Sequence, residues 1–441
     1  MSLQIAIVGS GPAGCFMAEL LSRKIEDCQI DMIERLPALF GLVRAGVAPD
    51  HQGTKNVTRQ FERTLEKDNI RVLANLTIGR DISYEQLKQC YDLVILATGA
   101  SHDRQLNLPG QDLPGVYGSS HFVGWYNGHP DSHRNPLQLK DGSVAIIGHG
   151  NVALDIARLL AKTAEERENT DICQPAMSQM NQAKIQDIYL IGRGAPEQAK
   201  FTPPELAELN DLQDALPVIR DTAIPETVSP ELDPREARAK QMNLDLFHQF
   251  AENAKAVDTA TTRIHLLFNH QPVAIHGEAE AVQSVEFERT DHNTPNPLKT
   301  INTQVTLKVD TLISAIGYTS LPIPGVPFDA DAGRIRHQDG QVEPGVYVTG
   351  WCRRGPTGVI PTNRADALEM SKRILADLDN GLISSGKAGR VAMDQLIADK
   401  GLQVLSYQDW QAIDQAEQEA GNGSKPRVKF LTEDAMIQQV R

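Results

Sequence analysis

Twice in this sequence a short apolar run ends in a cluster of glycines and passes straight into a helical pattern. The first run is Leu3–Val8 (LQIAIV), followed by Gly9-Ser10-Gly11-Pro12-Ala13-Gly14 and then FMAELLSRK. The second is Ser143–Ile147, followed by Gly148-His149-Gly150-Asn151-Val152-Ala153, with a helix read over Ala153–Lys162. Continuous apolar strands of this kind belong in parallel sheets covered on both faces. The glycines of such a turn have separate tasks. The first permits a tight bend, the second lets backbone N–H groups approach a pyrophosphate, and the third lets helix and strand pack closely. Two such units predict an α/β chain with two Rossmann-like, three-layer nucleotide-binding domains.

Further strands read at Gln29–Glu34 and Asp92–Ala97 extend the first unit, and Ile185–Ile191 and Thr311–Ile316 extend the second. After a proline-rich connector, Pro322–Pro327, the chain offers a strand at Val346–Thr349 and a helix at Arg364–Asp377. No glycine turn starts a third nucleotide site there, so these elements are expected to rejoin the first domain and make it discontinuous. The expected division is 1–106 with 325–441, which includes a C-terminal extension, and 107–324. Segments Asn169–Lys184 and Pro225–Arg238, rich in Gln, Asn, Pro and charge, read as insertions or loops. Beyond Ser384 two short helices are expected, with a flexible break at Gly421–Lys425. Trp125 and Tyr126 read as packing residues.

Composition narrows the class. A length of 441 residues suits two or three domains, and 41% hydrophobic with 23% charged residues is globular rather than disordered. The formal charge of −14 argues against non-specific nucleic-acid binding, which needs an excess of Lys and Arg. No window approaches the roughly 18 apolar residues of a membrane span, and the N-terminus begins a strand rather than a secretory signal. Five scattered cysteines, none in a C-x-x-C pair, supply neither a metal site nor a redox disulfide and suit a reducing cytoplasm.

The charge at the end of each unit's second strand sets the nucleotide. Glu34 lies 25 residues past Gly9, where a carboxylate can accept the ribose hydroxyls of an adenosine. The corresponding strand of the second unit ends in Gly192-Arg193-Gly194, and a cation there suits the 2′-phosphate of NADP. One acidic and one basic site in a chain point to FAD with NADP(H), the pairing of flavin-dependent oxidoreductases.

Four strings carry a specific resemblance: FGLVRAGVAPDHQGTKNV (Phe40–Val57), GHGNVALDIAR (Gly148–Arg158), FTPPELAE (Phe201–Glu208) and GWCRRGPTGVIPTN (Gly350–Asn363). Together they resemble the signatures of the adrenodoxin reductase-type family of ferredoxin–NADP reductases, and KPRVKFLTEDAM resembles that family's C-terminus. The resemblance implies that FAD is held by Gly9, Gly11, Ala13, Gly14, Glu34, Leu42 and Ile78, with Trp351, Gly358, Val359 and Ile360 near the flavin. It places NADP on His149, Gly150, Asn151 and Val152, with Arg193 at the 2′-phosphate, Glu205 nearby and Gly358 toward the nicotinamide. It pairs His51 with Glu208 near the flavin as a tuning and proton-relay couple, and Asp155, on the helix after the second turn, joins them as a catalytic candidate. It sets Arg235, Arg238 and Lys240 against an acidic ferredoxin, although Glu231, Asp233 and Glu236 interleave with them. The family shows two consecutive arginines where this chain has Arg193-Gly194.

The implied activity passes a hydride from NADPH to FAD at a crevice between the domains, then single electrons to a small iron–sulfur protein. No nucleophile is required. Thioredoxin-reductase-type enzymes share both nucleotide domains but need a cysteine pair that is lacking here. An electron-input subunit like that of glutamate synthase, serving another acceptor, would carry N-terminal cysteine clusters. A nucleotide-binding protein without enzymatic activity is the third reading.

Overall fold

A computed structural model describes residues 2–255, 260–278, 281–291 and 299–441. The chain divides into two compact units, one made of Met1–His102, Asn127–His133 and Tyr318–Arg441, the other of Asp103–Tyr126 and Arg134–Gly317.

The first unit is built on a six-stranded sheet in the order Gln341–Glu343, Val346–Val348, Leu93–Leu96, Leu3–Val8, Cys28–Ile33, Ile70–Leu73. All neighbours are parallel except the outer pair. Alternate residues of each strand enter opposite cores. Ile5, Ile7, Ile30, Met32 and Ile95 pack with helices Pro12–Lys24, Ile360–Asp379 and Tyr407–Gly421. Ala6, Val8, Ile33 and Leu96 pack with Tyr84–Cys90 and Arg390–Asp399. Burial on both sides is why these strands are apolar throughout. The late strand Val346–Val348 pairs with Leu93–Leu96, so the first unit is discontinuous in sequence, and it takes in 127–133 and 318–324, which the expected division gave to the second domain.

The second unit holds a six-stranded parallel sheet in the order Val116–Gly118, Thr311–Ser314, Gly142–Ile147, Ile185–Ile191, Thr262–Leu267, Ala215–Val218. It also carries a layer that the sequence did not disclose. A three-stranded antiparallel sheet, His270–Glu278, Ala281–Asp291 and Lys299–Lys308, covers one face of the parallel sheet, where Ile275, Val285 and Phe287 pack with Ala145, Ile147 and Leu312. The unit therefore has three layers, one of them antiparallel sheet.

Other differences are local. The segment expected as a loop at 169–184 contains the helix Gln174–Gln182, whose apolar stripe is only Ala176, Met177 and Met180, diluted by Gln, Ser and Asn. Arg167 holds its far end by donating to the Met180 carbonyl (3.1 Å). Beyond Ser384 there are three helices rather than two: Arg390–Asp399, Tyr407–Gly421 and Glu433–Gln439. The expected flexible break is a hydrogen-bonded turn in which the Ser424 and Lys425 N–H groups donate to the Gly421 carbonyl, each at 3.1 Å. Trp125 and Tyr126 are buried packing residues. All five cysteines are buried, and no disulfide joins them. Among the described residues no helix is long and apolar enough to cross a membrane.

Candidate functional site

The first glycine turn leaves Leu3–Val8 where the strand order reverses, with Cys28–Ile33 on one side and Leu93–Leu96 on the other. Open α/β sheets bind ligands at such a point. Gly9 has φ +110°, and a Cβ there would stand 2.4 Å from the Ala97 carbonyl oxygen. At Gly14 a Cβ would come within 1.9 Å of the Gly9 oxygen. Packing thus explains both. Gly11 is different, because nothing lies within 4 Å of the place its Cβ would take. It also stands at the N-cap of Pro12–Lys24, which no side chain caps. Open space over an uncapped helix start fits a diphosphate.

Glu34 directly follows Cys28–Ile33 and is buried. Its Oε2 accepts from the Ser10 N–H (3.1 Å) and hydroxyl (2.7 Å), and its Oε1 accepts from the Leu36 N–H (3.1 Å). A carboxylate has about four acceptor positions, so alongside these bonds it has room for one ribose hydroxyl. Ser10, which the sequence reading passed over, is therefore part of this site. Its hydroxyl also accepts from the Phe40 N–H (3.2 Å), and a Cβ on Gly41 would lie 3.2 Å from Gly11 Cα. The loop bearing Leu42 thus rests on the turn. Ile78 is buried just before Gly79, whose φ is +96°.

Val346–Val348 brings in the remaining first-unit residues. Gly350 (φ +75°) lies against Ala13, and a Cβ on it would be 2.5 Å from that residue's Cβ. Asp366 is buried and accepts from the Gly350 N–H, from Arg353 and from Arg354 Nη1 (2.8 Å). Arg354 also donates to Asn363 Oδ1 (2.9 Å) and the Thr357 carbonyl (3.2 Å), which accepts from the Trp351 indole as well (3.1 Å). Asp366, Arg354 and Asn363 thereby fix the Trp351–Val359 stretch, and sequence reading missed all three. The helix expected from Arg364 begins at Ile360. Gly358, Val359 and Ile360 therefore stand at its positive end.

The second glycine turn repeats the pattern. A Cβ on Gly148 (φ +145°) would lie 2.3 Å from the Ala315 carbonyl oxygen, whereas at Gly150 nothing lies within 4 Å. Gly150 is the uncapped N-cap of Asn151–Ala161, a helix that starts two residues before the expected Ala153. Both turns thus leave open the glycine expected to face phosphate. The side chains here are turned to the protein. The His149 ring packs on Phe268 and Phe201, at 4.7 and 5.2 Å between centroids. Burial lowers its pKa to about 4, so it stays neutral and offers a nucleotide backbone rather than charge. The Asn151 amide is paired with Thr202, its Oδ1 accepting from the N–H (2.9 Å) and its Nδ2 donating to the hydroxyl (3.0 Å). That pair ties the turn to Pro203–Ala207, the short helix carrying Glu205.

Arg193 is exposed on a pinned loop. The Gly192 carbonyl accepts from the His270 N–H (3.0 Å), that of Arg193 from the Thr290 hydroxyl (2.6 Å), and that of Gly194 from the Asn269 N–H (3.0 Å). Asp155 and Glu208 come together through Arg158, whose Nη2 meets Asp155 Oδ1 and whose Nε meets Glu208 Oε2, both at 2.9 Å. His51 lies in the first unit and Glu208 in the second. Arg235 and Arg238 are exposed on Pro234–Asn253. Lys240, on the same helix, is instead engaged with the Glu197 carbonyl (2.8 Å) and Glu236 (3.3 Å). Among the described residues no group of His, Cys, Asp and Glu could hold a metal.

Residues 3–191 match the family model described as pyridine nucleotide-disulphide oxidoreductase. Over 99% of this chain and 95% of the relative, the sequence is 36% identical to the mitochondrial NADPH:adrenodoxin oxidoreductase of Arabidopsis thaliana. It is 35% identical to the NADPH-ferredoxin reductase FprA of Mycobacterium leprae, over 97% and 96% of the two chains. The structure of Mycobacterium tuberculosis FprA in complex with NADPH superposes with a TM-score of 0.93, at 33% identity and full coverage of both chains.

Proposed function

The chain belongs to the NADPH:adrenodoxin and NADPH-ferredoxin reductase family, and from that premise we propose how its residues divide the work. It is an FAD-dependent oxidoreductase that draws electrons from NADPH and delivers them to a ferredoxin-type iron–sulfur protein. FAD, when bound, supplies the link between two-electron and one-electron transfer. The protein binds and orients the cofactors. Gly9, Gly11, Ala13 and Gly14 take the FAD diphosphate, Glu34 a ribose hydroxyl, and Leu42 and Ile78 flank the cofactor. Trp351 and the Gly358-Val359-Ile360 helix start lie by the flavin, where a positive helix end favours negative charge on the reduced ring.

Gly150, Val152 and the backbone of His149 and Asn151 receive NADP. Arg193 takes its 2′-phosphate, with Glu205 beside it and Gly358 toward the nicotinamide. His51 is the candidate for proton relay beside the flavin. Glu208 and Asp155, both held by Arg158, act as positioning residues in the second unit. Arg235 and Arg238 present charge to the ferredoxin, and Lys240 steadies the loop after Arg193. The scattered cysteines support a cytoplasmic setting.

One observation carries this reading: two glycine turns are each open at the phosphate-facing glycine, and one is followed by a carboxylate, the other by a guanidinium. The purified protein should be yellow, with one non-covalent FAD per chain, and anaerobic NADPH should bleach it. Ferredoxins should then be reduced in turnover, and a colourless protein or a spectrum unmoved by NADPH would refute the assignment.

A further inference from the structure

The segment after the first unit's last sheet strand grips one particular loop. Helix Tyr407–Gly421 sends Glu417, 0% exposed, to the Arg44 guanidinium, with Nη1 at 2.7 Å and Nη2 at 2.5 Å. Trp410 lies under the same guanidinium, its ring centroid 5.2 Å from Arg44 Cζ, and meets the Phe40 ring edge-on at 5.9 Å. The chain then folds back on Glu417. The Phe430 N–H donates to its Oε1 (2.9 Å) and the Val428 N–H to its carbonyl (2.8 Å). Lys429, also buried, donates to the Arg44 carbonyl (3.4 Å) and to Asn127 Oδ1 (3.3 Å), while the Asn127 amide donates to the Val47 carbonyl (3.3 Å).

The other side of this loop is the first glycine turn. The Phe40 N–H donates to the Ser10 hydroxyl, and Gly41 lies on Gly11. Phe40 holds φ +73°, a conformation that a bulky side chain keeps only when its surroundings over-determine it. A buried carboxylate with its charge paired and its oxygens hydrogen-bonded is costly to dismantle from one side. The contacts thus form one physical chain, from Glu417 through Arg44 and Phe40-Gly41 to Ser10 and Gly11.

We infer that Glu417 is a positioning residue for FAD: acting through Arg44, it holds the Phe40–Val47 loop closed on the first glycine turn. The inference rests on that turn being the FAD site. If the latch helps hold FAD, FAD must equally help hold the latch, because coupling is reciprocal.

The test tracks flavin release from diluted holoenzyme by its fluorescence. Glu417→Gln keeps the shape and removes the charge, and should speed FAD release about tenfold or more, with NADP+ affinity unchanged. Arg44→Met should also speed release. The double variant should fall short of the sum of the singles, since both remove the Arg44–Glu417 pair while Arg427 also reaches Glu417 Oε2 at 3.4 Å. Unchanged release in Glu417→Gln overturns the inference, and so does an additive double variant. Glu34→Ala in the same assay separates the premise. If it too leaves release unchanged, the turn is not the FAD site. If Glu34→Ala releases FAD and Glu417→Gln does not, only the latch fails. Should Glu417→Gln not fold, the wild-type protein decides. Hydrogen exchange at the Val428 and Phe430 amides should slow when FAD is bound relative to the stripped full-length chain, and equal exchange overturns the inference.

Discussion

Arg193 stands on a loop whose three carbonyls are all engaged, so removing its side chain should change charge and leave the backbone where it is. A charged contact to phosphate contributes about 1.5–3 kcal/mol, roughly one to two powers of ten in affinity. Arg193→Ala should therefore lower kcat/KM for NADPH by that factor and barely touch NADH, which lacks the 2′-phosphate. Equal losses for both nucleotides would mean that the residue supports the fold. The neighbouring position can be improved. Gly194 is not among the positive-φ glycines, and a Cβ there would meet Gln198, with Oε1 at 2.9 Å and Cβ at 3.1 Å. Gln198 can yield only by releasing the Ala195 N–H from its Oε1 (3.1 Å) and shifting slightly at its Cβ, so Gly194→Arg should strengthen the NADPH preference at some cost in stability. At this scale the sequence was most legible where close packing forces glycine, as at Gly9 and Gly14. It hid Ser10, Asp366 and Asn363, whose partners include residues outside their own turn or helix and whose residue types are ordinary.

Among elements, helix Pro234–Asn253 offers the clearest test of partner recognition. Asp233 caps it, accepting from the N–H groups of Arg235 (3.0 Å) and Glu236 (3.2 Å), so one of the acids interleaved with the arginines has a structural task. Arg235 and Arg238 remain exposed. Converting both to Glu should raise the apparent KM for ferredoxin and leave ferricyanide reduction untouched, and wild-type ferredoxin turnover should slow as salt rises. A parallel fall of both activities would mark the stretch as structural. The apolar strands were legible because burial on two faces leaves no polar positions in them. Helix Gln174–Gln182 was not, because three buried residues on its stripe are too few to stand out from the polar ones. The antiparallel sheet was missed because no glycine turn announces it and a strand such as Ala281–Asp291 (AVQSVEFERTD) keeps the apolar–polar alternation of a strand only over Ser284–Glu288.

Taken whole, the molecule should respond to acid unevenly. In the second unit burial lowers His149 from the ordinary 6.5 to about 4, and lowers His265 and His270 as well. Such a histidine takes up its proton more readily when unfolded, so the stability it protects is complete above pH 6.5 and lost as pH falls toward 4. For His149 the loss amounts to roughly 3 kcal/mol. Among the shifted acids of the first unit Glu62 is raised, by burial, and five, Asp81, Glu343, Glu369, Asp377 and Glu417, lie below their ordinary 3.8–4.5. The contribution of these five persists until still lower pH. Between pH 6.5 and 4.5, calorimetry with flavin fluorescence should show NADP+ binding and the second unit failing first, with FAD retained. Loss of FAD before NADP+ would contradict this order, and His149→Leu should flatten the decline. The buried cysteines bear on a different question, that of wear. A protein that hands on single electrons works close to where stray reduction of oxygen yields peroxide, and peroxide attacks thiolates in reach of solvent. Burial keeps Cys15, Cys28, Cys90 and Cys352 as thiols. Corrosion of this enzyme would therefore begin at sulfur it can lose more cheaply, on the surface, with Met242 at 47% exposure the first to tarnish among the described residues.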